Sequence, residues 1–445
     1  MKGLDIMNKD NSIKKLSTQP YKGARDFYPE DMRIRNYIFD TWKKVCKRYG
    51  FEEYDFPFLE NWDIYAAKTG EEIVNKQLYW FKDRGGRKVA IRPEKTPSVA
   101  RMIAAKINEL SRPIKWFNIG NCWRYEKPQK GRGREFFQFD CDIFGVSDTA
   151  ADIEVFSIPI EIMKALGATQ KMFEIKISNR RLTEYFLKEL ACLEGDFSQP
   201  NSRLYKTVKA IDTKLKVTEL EFEKLLEEAK LTNKQIQRVN EYLNYNLDDV
   251  KKYKDKCYGA EELIEFFRIA ESIGYKRYFK FSPEIMRGFD YYTGNVIEQF
   301  DLNPKNNRSM YGGGRYDDLV GLFTKEKLTA VGFAMGDMTL IEFLKGWNLL
   351  PALPADTQVM VTVFDESLRD KSFETAQRLR EKGINAFLYL EADKLDKQLK
   401  YADRKGIPYV IIIGPDEVKK GKVVLRDMRK KEQNEIRMEE ITDLI

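Results

Sequence analysis

The stretch WFNIGNCWRYEKPQKGRGREFFQFDCDIFG, from Trp116 to Gly145, carries the clearest structural signal in the chain. Two runs rich in aromatic and β-branched residues, Trp116–Glu126 and Glu135–Gly145, flank the polar loop Lys127–Arg134. Strand-like runs on both sides of a short loop predict a β-hairpin. The sequence therefore predicts two antiparallel strands joined by an unusually basic tip.

Side chains of chemical interest alternate along this hairpin. Successive residues of a strand point to opposite faces, so Arg124 and Glu126 are predicted to share one face, and Gln138, Asp140 and Asp142 to share one face of the partner strand. A guanidinium beside carboxylates suits a phosphate together with a cationic or hydrogen-bonding ligand. The alternative is an exposed hairpin with solvated charges.

The rest of the first 345 residues alternates between helical and strand patterns. Asn201–Tyr253 differs, because it is rich in Lys and Glu with apolar residues at helical spacing, and we interpret it as a helical insertion. Helices are predicted at Met32–Gly50 and Asp152–Leu166, and extended segments at Phe51–Leu59, Lys171–Ser178, Arg277–Phe281, Asn295–Phe300 and Leu328–Met335.

A second domain is predicted after the linker Gly346–Asp356, which contains two prolines. Its predicted strands are Val359–Phe364, Ala386–Leu390 and Tyr409–Gly414, and its predicted helices are Leu368–Lys382 and Asp393–Lys405. A nearly continuous apolar strand such as Tyr409–Gly414 is typical of a parallel sheet covered on both faces. We expect a separate α/β domain here.

Composition limits the possible functions. With 445 residues, 42% hydrophobic and 33% charged, the chain is typical of a soluble protein of two or three domains, and no apolar run is long enough for a membrane span. Residues 1–20 predict a flexible tail without a secretory signal. The five cysteines form no CxxC pair, which favours free thiols in a reducing, cytoplasmic setting. The net charge of +7 permits a nucleic-acid partner.

The chain contains no histidine. A histidine general base, a histidine nucleophile and any metal site built on histidine are therefore excluded. Chemistry must rely on carboxylates, Arg, Lys, Tyr, backbone amides or a bound metal ion.

Two further clusters combine glycine with polar residues: Met286–Gly294 (MRGFDYYTG) and Tyr311–Asp318 (YGGGRYDD). Three consecutive glycines allow a backbone to approach a ligand closely, and we interpret this run as a glycine-rich loop. Neither cluster fits the Walker A or the dinucleotide-binding pattern. The alternative for each is a tight turn with a surface arginine.

Together with the hairpin, these clusters resemble one family. From about Tyr21 to its end, the chain resembles the histidyl-tRNA synthetases, a branch of the class II aminoacyl-tRNA synthetases. The segments that carry the resemblance are Tyr21–Phe27 with Pro57 (motif 1), Arg92–Thr96 (RPE-x-T), Arg124–Gln138 (motif 2), Arg287–Tyr292 and Gly312–Asp317 (the two histidine-specific signatures), and Lys394–Asp403 with Tyr409–Gly414 (the anticodon-binding domain).

The resemblance implies an α+β catalytic domain, with a class II antiparallel sheet flanked by helices, over residues 21–345. It implies a helical insertion at about 195–270, a linker at 346–356 and an α/β anticodon-binding domain at 357–445. It also implies a homodimer that joins histidine to histidine tRNA with ATP and Mg²⁺, outside any membrane.

Roles for individual residues follow from the resemblance. Arg124 and Arg287 would stabilise the α-phosphate of ATP, with Glu126 and Arg132 also binding the nucleotide. The residues implied for histidine are Glu94, Thr96 and Gln138 at the α-amino group, Asp142 and Tyr292 at the ring nitrogens, and Tyr291. Those implied for the 3′ end of the tRNA are Gln129, Lys130, Arg132 and Arg134. No protein residue is implied as a metal ligand.

Three positions depart from the family pattern. Thr339 stands where motif 3 usually has an arginine for the γ-phosphate, Phe137 where many relatives have a histidine, and Asp142 where many have the longer Glu. We expect Phe137 to serve packing. A basic stripe on one predicted helix, at Lys394, Lys397, Lys400 and Arg404, is a candidate contact for the anticodon stem.

Two alternatives to a synthetase follow from the same residues. The first is a non-catalytic histidine sensor such as the regulatory subunit of ATP phosphoribosyltransferase, which Thr339 favours but a C-terminal anticodon-binding domain opposes. The second is a tRNA-sensing module of the kind found in stress kinases, and no kinase segment is present in the sequence.

Overall fold

The computed structural model describes residues 16–67, 73–196, 199, 202–287, 291–306 and 309–441. Residues 1–15 of the predicted tail lie outside this part. The chain forms two compact units: the larger comprises the described parts of Met1–Asp26 and Arg35–Leu350, and the smaller those of Phe27–Ile34 and Pro351–Ile445. The division after Leu350 falls within the segment predicted as a linker. No helix in the described residues is long and apolar enough to cross a membrane.

The secondary structure of the first 350 residues alternates as predicted. The strands are β1 (Glu52–Glu53), β2 (Leu59–Asn61), β3 (Trp80–Lys82), β4 (Lys88–Ile91), β5 (Ile114–Trp123), β6 (Glu135–Phe144), β7 (Phe173–Asn179), β8 (Phe279–Phe281), β9 (Asn295–Asp301), β10 (Ser309–Arg315) and β11 (Ala330–Gly336). The α-helices are α1 (Pro29–Arg48), α2 (Trp62–Ala66), α3 (Thr96–Ala105), α4 (Ala150–Ala165), α5 (Arg180–Tyr185), α6 (Arg203–Thr213), α7 (Glu219–Glu228), α8 (Asn233–Leu243), α9 (Leu247–Lys251), α10 (Tyr258–Ser272) and α11 (Asp337–Gly346).

Within the described residues, the larger unit is built on an eight-stranded sheet in the order β1-β5-β6-β11-β10-β9-β7-β8. The six inner strands pair antiparallel, whereas β1 and β8 add parallel edges. The predicted hairpin is confirmed, since β5 and β6 pair antiparallel along their full length. Helix α1 covers this sheet: Trp42 is buried, and its ring stacks on that of Phe139 at 5.2 Å. The predicted antiparallel sheet flanked by helices is therefore confirmed.

The interpretation of Tyr311–Asp318 as a loop is wrong. Residues 309–315 form β10, which pairs with β9 on one side and β11 on the other. Glycine has low strand propensity, and the pattern was therefore misleading. The small sheet β2-β4-β3 was not predicted either, because strands of three or four residues are too short to show clear alternation.

The helical insertion packs around a hydrophobic cluster that also includes Leu187 and Met286 from the chain on either side of it. Helices α6, α7 and α8 contribute buried residues to one cluster, among them Leu204, Phe222 and Val239. Thr218 and Thr232 form capping boxes that fix the starts of α7 and α8. The following α10 packs differently, because its residue Phe266 contacts rings of α4 and β8.

The smaller unit is an α/β fold. Its elements are β12 (Val359–Val361), α12 (Arg369–Glu381), β13 (Ala386–Leu388), α13 (Leu395–Lys405), β14 (Tyr409–Ile412), α14 (Pro415–Lys420), β15 (Lys422–Asp427) and β16 (Glu432–Arg437). Counted over the described residues, they form a five-stranded sheet in the order β13-β12-β14-β15-β16. Strands β12, β13 and β14 are parallel, as the apolar run at Tyr409 predicted, and β15 and β16 extend the sheet antiparallel.

A buried ion pair ties α4 to the end of β10. Arg315 is 2% exposed and pairs with Asp152, which is 0% exposed. Arg315 also donates to the backbone oxygens of Val146 at 2.9 Å and Asp148 at 3.0 Å. The interpretation of Arg315 as a surface arginine in a tight turn is therefore wrong: its charge is used inside the fold.

Removing this arginine is predicted to destabilise the larger unit. Arg315→Met leaves the Asp152 carboxylate buried without its cation, and loss of one partner of a buried pair costs about 3–5 kcal/mol. Urea unfolding followed by tryptophan fluorescence measures this, because all 6 tryptophans of the chain lie in the larger unit. The matched control is Arg268→Met, which breaks an exposed pair with Glu265 and is expected to change the stability little, because exposed pairs are screened by water. Equal losses in the two variants would contradict the prediction.

Candidate active site

A cavity of about 1030 Å³ lies in the larger unit. All three clusters identified in the sequence contribute to its walls: the hairpin, the segment around Arg287 and the glycine-rich strand β10. The predicted site residues that line it are Glu94, Thr96, Arg124, Glu126, Gln129, Lys130, Arg132, Gln138, Asp142, Arg287, Tyr291 and Tyr292. Gly288, Phe289 and Asp290 of the second cluster lie outside the described residues.

Arg134 is the predicted site residue that does not line this cavity. Its guanidinium lies 4.0 Å from the centre of the Tyr125 ring and 5.4 Å from that of Tyr21. It donates to the hydroxyl of Tyr21 at 2.7 Å and to the backbone oxygen of Glu126 at 3.3 Å. Arg134 therefore fastens the base of the hairpin loop to the N-terminal segment.

One end of the cavity is lined by buried carboxylates. Glu94, Asp140 and Asp142 are 2%, 3% and 4% exposed, respectively. The alternative of an exposed hairpin with solvated charges is therefore wrong for β6. Tyr291 donates to the Glu94 carboxylate at 3.3 Å, and the rings of Tyr291 and Tyr292 lie 4.9 Å apart. Such a group of buried acceptors favours a ligand that brings hydrogen-bond donors.

Asp142 has a strongly altered acidity. Burial raises its pKa to about 8, and the neighbouring charge of Asp140 adds to the rise. The Tyr316 hydroxyl donates to Asp142 at 2.5 Å and partly offsets the effect. Gly332 on β11 makes room for this carboxylate, because a Cβ there would lie 1.9 Å from the Asp142 oxygen. Tyr316 belongs to the third cluster, but its sequence context carries no signal for this role.

The arginine of the second cluster lies against the glycine-rich strand. A Cβ on Gly312 would lie 2.4 Å from the Arg287 guanidinium carbon, so only glycine allows this contact. Similarly, a Cβ on Gly314 would lie 2.6 Å from the ring of Tyr292. The glycines therefore accommodate side chains of the site, rather than bringing backbone to a ligand as the sequence suggested.

Arg287 is held in an unusual position. Its φ of 60° lies in the left-handed region, which is uncommon for a residue with a side chain. Its Nη1 donates to Glu298 at 3.2 Å, while its buried Nε–H has no acceptor among the described residues. A buried donor without an acceptor is costly, so the geometry favours an anionic ligand at this position. Glu298 was not predicted, because an isolated Glu in a strand carries no distinguishing signal.

Arg124 is the second arginine of the cavity. Its Nε donates to the backbone oxygen of Pro93 at 2.9 Å, and its guanidinium lies 5.2 Å from the centre of the Phe136 ring. These contacts fix the plane of the guanidinium. The sequence placed Arg124 on the hairpin correctly, but the contact with Pro93 depends on the tertiary fold.

Two of the residues that depart from the family pattern, Thr339 and Phe137, make contacts near the end of β11. Thr339 lines the cavity and donates to the backbone oxygen of Met310 at 2.9 Å. The preceding Asp337 is buried, pairs with Arg25 at 2.7 Å and accepts the Phe137 amide at 2.9 Å. The ring of Phe137 packs against Phe39 at 5.4 Å, in agreement with the expected packing role.

The smaller unit also has a cluster of cationic side chains, at the basic stripe predicted for α13. Lys394, Lys397, Lys400 and Arg404 surround a shallow concavity of about 520 Å³. Lys397 and Lys400 are each paired at 2.8 Å with an aspartate four residues earlier in the chain. The positive charge of the stripe is thus partly neutralised by neighbouring aspartates.

Comparisons with known proteins agree with this geometry. The family model described as histidyl-tRNA synthetase matches residues 23–340, and the model described as anticodon binding domain matches residues 358–445. A histidine–tRNA ligase of Leptospira biflexa is 44% identical over 423 residues, which cover 94% of this chain and 95% of that protein. The chloroplastic/mitochondrial histidine–tRNA ligase of Arabidopsis thaliana is 36% identical, over 98% of this chain and 88% of that protein.

The fold is also that of a solved synthetase. The crystal structure of histidyl-tRNA synthetase from Nostoc sp. PCC 7120 matches with a TM-score of 0.80 and 26% identity, over 97% of this chain and 100% of that chain. The family model covers most of the chain, and the relatives align along nearly their whole length. The chain belongs to the histidyl-tRNA synthetase family.

Proposed function

We propose that this protein is a histidine–tRNA ligase. It activates L-histidine with ATP to give histidyl-adenylate and pyrophosphate, and then transfers histidine to the 3′ end of histidine tRNA. The observation that supports this most is the composition of the cavity wall. It contains the buried carboxylates Glu94 and Asp142 with neighbouring tyrosines, and also two arginines, Arg124 and Arg287. This arrangement suits an amino acid bound next to a phosphate.

The carboxylate end would bind the amino acid. Glu94, Thr96 and Gln138 would accept or donate hydrogen bonds at the α-amino group, with Tyr291 orienting Glu94. Asp142 and Tyr292 would bind the two ring nitrogens. A site with a buried hydrogen-bond partner for each ring nitrogen discriminates by about 10⁴–10⁵ against amino acids of similar shape that lack these nitrogens, because its polar groups would be left unpaired.

The arginine end would carry the chemistry of activation. The histidine carboxylate attacks the α-phosphorus, and Arg124 and Arg287 stabilise the negative charge that develops there. The unpaired Nε–H of Arg287 supports this role, since a phosphate oxygen would satisfy it. Glu126 and Arg132 would hold the rest of the nucleotide. No protein nucleophile is required, because positioning and electrostatics suffice for both steps.

Mg²⁺ would enter with ATP. The described residues contain no group of three acidic, cysteine or histidine side chains that could hold a metal. Mg²⁺ usually binds through one or two carboxylates together with substrate phosphates, and Glu298 beside Arg287 fits that requirement. Bound there, the ion would neutralise phosphate charge.

The tRNA would contact both units. Gln129, Lys130 and Arg132 line the cavity and would meet the 3′ end, with Arg134 fixing the base of their loop. The smaller unit would meet the anticodon, in line with the family model that it matches. The stripe on α13 is the candidate contact, although two of its lysines are already paired.

We also propose that the protein works as a homodimer in the cytoplasm. Leu59, Trp80 and Phe81 are 45–50% exposed on the small sheet, and exposed large apolar side chains often mark protein interfaces. A cytoplasmic location follows from the proposed substrates. The alternative, a catalytically silent histidine sensor, is opposed by the anticodon-binding match over residues 358–445.

ATP–pyrophosphate exchange with each of the twenty amino acids, without tRNA, tests the proposed function. We expect exchange with histidine alone, followed by charging of histidine tRNA. Histidine binding in calorimetry without any exchange would instead support the sensor alternative, and exchange with another amino acid would contradict the assigned specificity.

Replacing Arg124 is predicted to slow activation. Loss of one preorganised donor to developing charge costs about 10²–10³ in kcat, and we expect this for Arg124→Ala in the exchange assay. Arg268→Ala, which removes an exposed arginine, is the control and should match the wild type. An unchanged kcat for Arg124→Ala would exclude its catalytic role.

The pKa of Asp142 predicts a pH-dependent stability of the ligand-free protein. Burial raises this pKa from 3.8 to about 8, so the folded carboxyl keeps a proton that the unfolded chain loses. Its stabilising contribution is therefore complete below about pH 4 and lost as the pH rises to about 8. Between about pH 5.5 and 8, we expect the free energy of unfolding of the wild type to fall relative to Asp142→Asn by on the order of 2 kcal/mol.

Urea unfolding at several pH values measures this difference. Asp248→Asn is the control, because that exposed carboxylate is hydrogen-bonded by Lys251, which lowers its pKa, and it does not titrate in this range. Parallel profiles for wild type and Asp142→Asn would show that Asp142 is ionised in the folded protein and would contradict the prediction.

A further inference from the structure

A buried lysine lies directly behind the carboxylate end of the cavity. Lys95 stands between Glu94 and Thr96, and it is 0% exposed. Among the residues that the structure describes, it is the one lysine buried in this way. Lysine is almost never fully buried unless it is paired. Its surroundings therefore indicate what its charge is needed for.

The ammonium group of Lys95 is surrounded by acceptors. It lies 2.8 Å from the Asp140 carboxylate. It donates to the side-chain oxygen of Asn118 at 2.8 Å, the backbone oxygen of Gln138 at 2.6 Å and the backbone oxygen of Asn118 at 3.2 Å. An ammonium has three protons, and these three hydrogen bonds account for all of them, so its contact with Asp140 is an ion pair. Asn118 is itself held by the backbone oxygen of Tyr54 at 2.5 Å. Lys95 is thus saturated from within the protein and is not itself available to a ligand.

The effect of Lys95 passes through Asp140 to Gln138. The second oxygen of the Asp140 carboxylate accepts from the side-chain nitrogen of Gln138 at 2.7 Å. A carboxylate that is paired with a lysine only accepts hydrogen bonds, so it must bind the NH₂ of the amide. The amide oxygen of Gln138 is then the end left for a ligand in the cavity, which Gln138 lines. An oxygen there attracts an ammonium group, whereas an NH₂ would repel it.

We propose that Lys95 and Asp140 are a positioning pair that orients the Gln138 amide, so that its oxygen receives the α-amino group of the amino-acid substrate. This inference rests on the proposed function, because it assigns the α-amino group to this end of the cavity. The pair touches no substrate. Its contribution is to select one of the two orientations of an amide that packing alone does not distinguish.

The burial of the pair explains why a lysine is needed. Asp140 is 3% exposed, and the Lys95 ammonium is the cation that lies against it, at 2.8 Å. A buried carboxylate without its cation is strongly unfavourable. Without Lys95, the Asp140 side chain therefore loses its fixed position, and the Gln138 amide loses the acceptor that selects its orientation.

Two variants disturb the pair in different ways. Lys95→Met removes the cation and keeps an unbranched side chain of similar length. Asp140→Asn keeps the shape but offers one oxygen to two donors, Lys95 and Gln138, so the amide of Gln138 must turn toward the new NH₂. The control is Lys115→Met, on the neighbouring β5, which breaks a partly exposed pair with Glu154.

The test compares two inhibitors of histidine-dependent exchange: histidinol, which has the amine, and 4-(3-hydroxypropyl)imidazole, which lacks it. In both variants we expect histidinol and histidine to bind about tenfold more weakly or worse, while the inhibitor without the amine and the KM for ATP change by less than about twofold. Lys115→Met should leave all four values unchanged. The difference between the inhibitors separates orientation of the amide from general loosening of the site.

The opposite outcomes are equally clear. Equal weakening of both inhibitors, or weakening of neither, would overturn the inference. So would an Asp140→Asn protein that does not fold, judged by tryptophan fluorescence in urea, because the pair would then serve stability. A wild-type protein that neither exchanges with histidine nor binds histidinol would remove the proposed function itself, a result distinct from failure of the variants.

Discussion

The burial of carboxylates on β6 and beside it is the constraint on which the site depends. Ionised groups are expensive to remove from water unless each has a partner, and Glu94, Asp140 and Asp142 lie together in the interior. Each is compensated in a different way: Asp140 by Lys95, Glu94 by the Tyr291 hydroxyl, and Asp142 by a raised pKa. The residues that make these contacts come from separate parts of the chain, and the sheet is what brings them together.

The glycines of the site follow from the same constraint. Side chains of the cavity lie flat against β10 and β11, and a Cβ at Gly312 or Gly332 would collide with Arg287 or Asp142. Two central strands of the sheet therefore have glycine, which lacks a side chain, at the positions where polar groups of the cavity need room. The cost in strand propensity is met by pairing on both sides of each strand. Glycines that are unfavourable by strand propensity alone are thus required by the cavity.

Thr339, close to the end of β11, differs from the family pattern and is accommodated by contacts within the protein. Thr339 stands where the family pattern has an arginine, and its hydroxyl bonds to backbone rather than reaching for a ligand. Its neighbour Asp337 is fully engaged with Arg25 and the Phe137 amide. These contacts join the N-terminal segment, the hairpin and α11 into one support for the cavity. The hairpin loop that carries Lys130 and Arg132 lies beside this position, since a Cβ on Gly131 would lie 3.7 Å from the Thr339 side chain.

The sequence by itself determined the hairpin, the helical insertion, the second α/β unit and most of the residues that line the cavity, because alternation and helical spacing are local properties and the motifs resemble a known family. It did not determine that Tyr311–Arg315 is a strand, since three glycines carry no pattern. Nor did it determine the partner of Arg315 or the role of Lys95. Those depend on which residues meet across the sheet, and a buried charge is recognisable only when its partner, distant in the chain, is known. Tertiary structure alone decided these contacts.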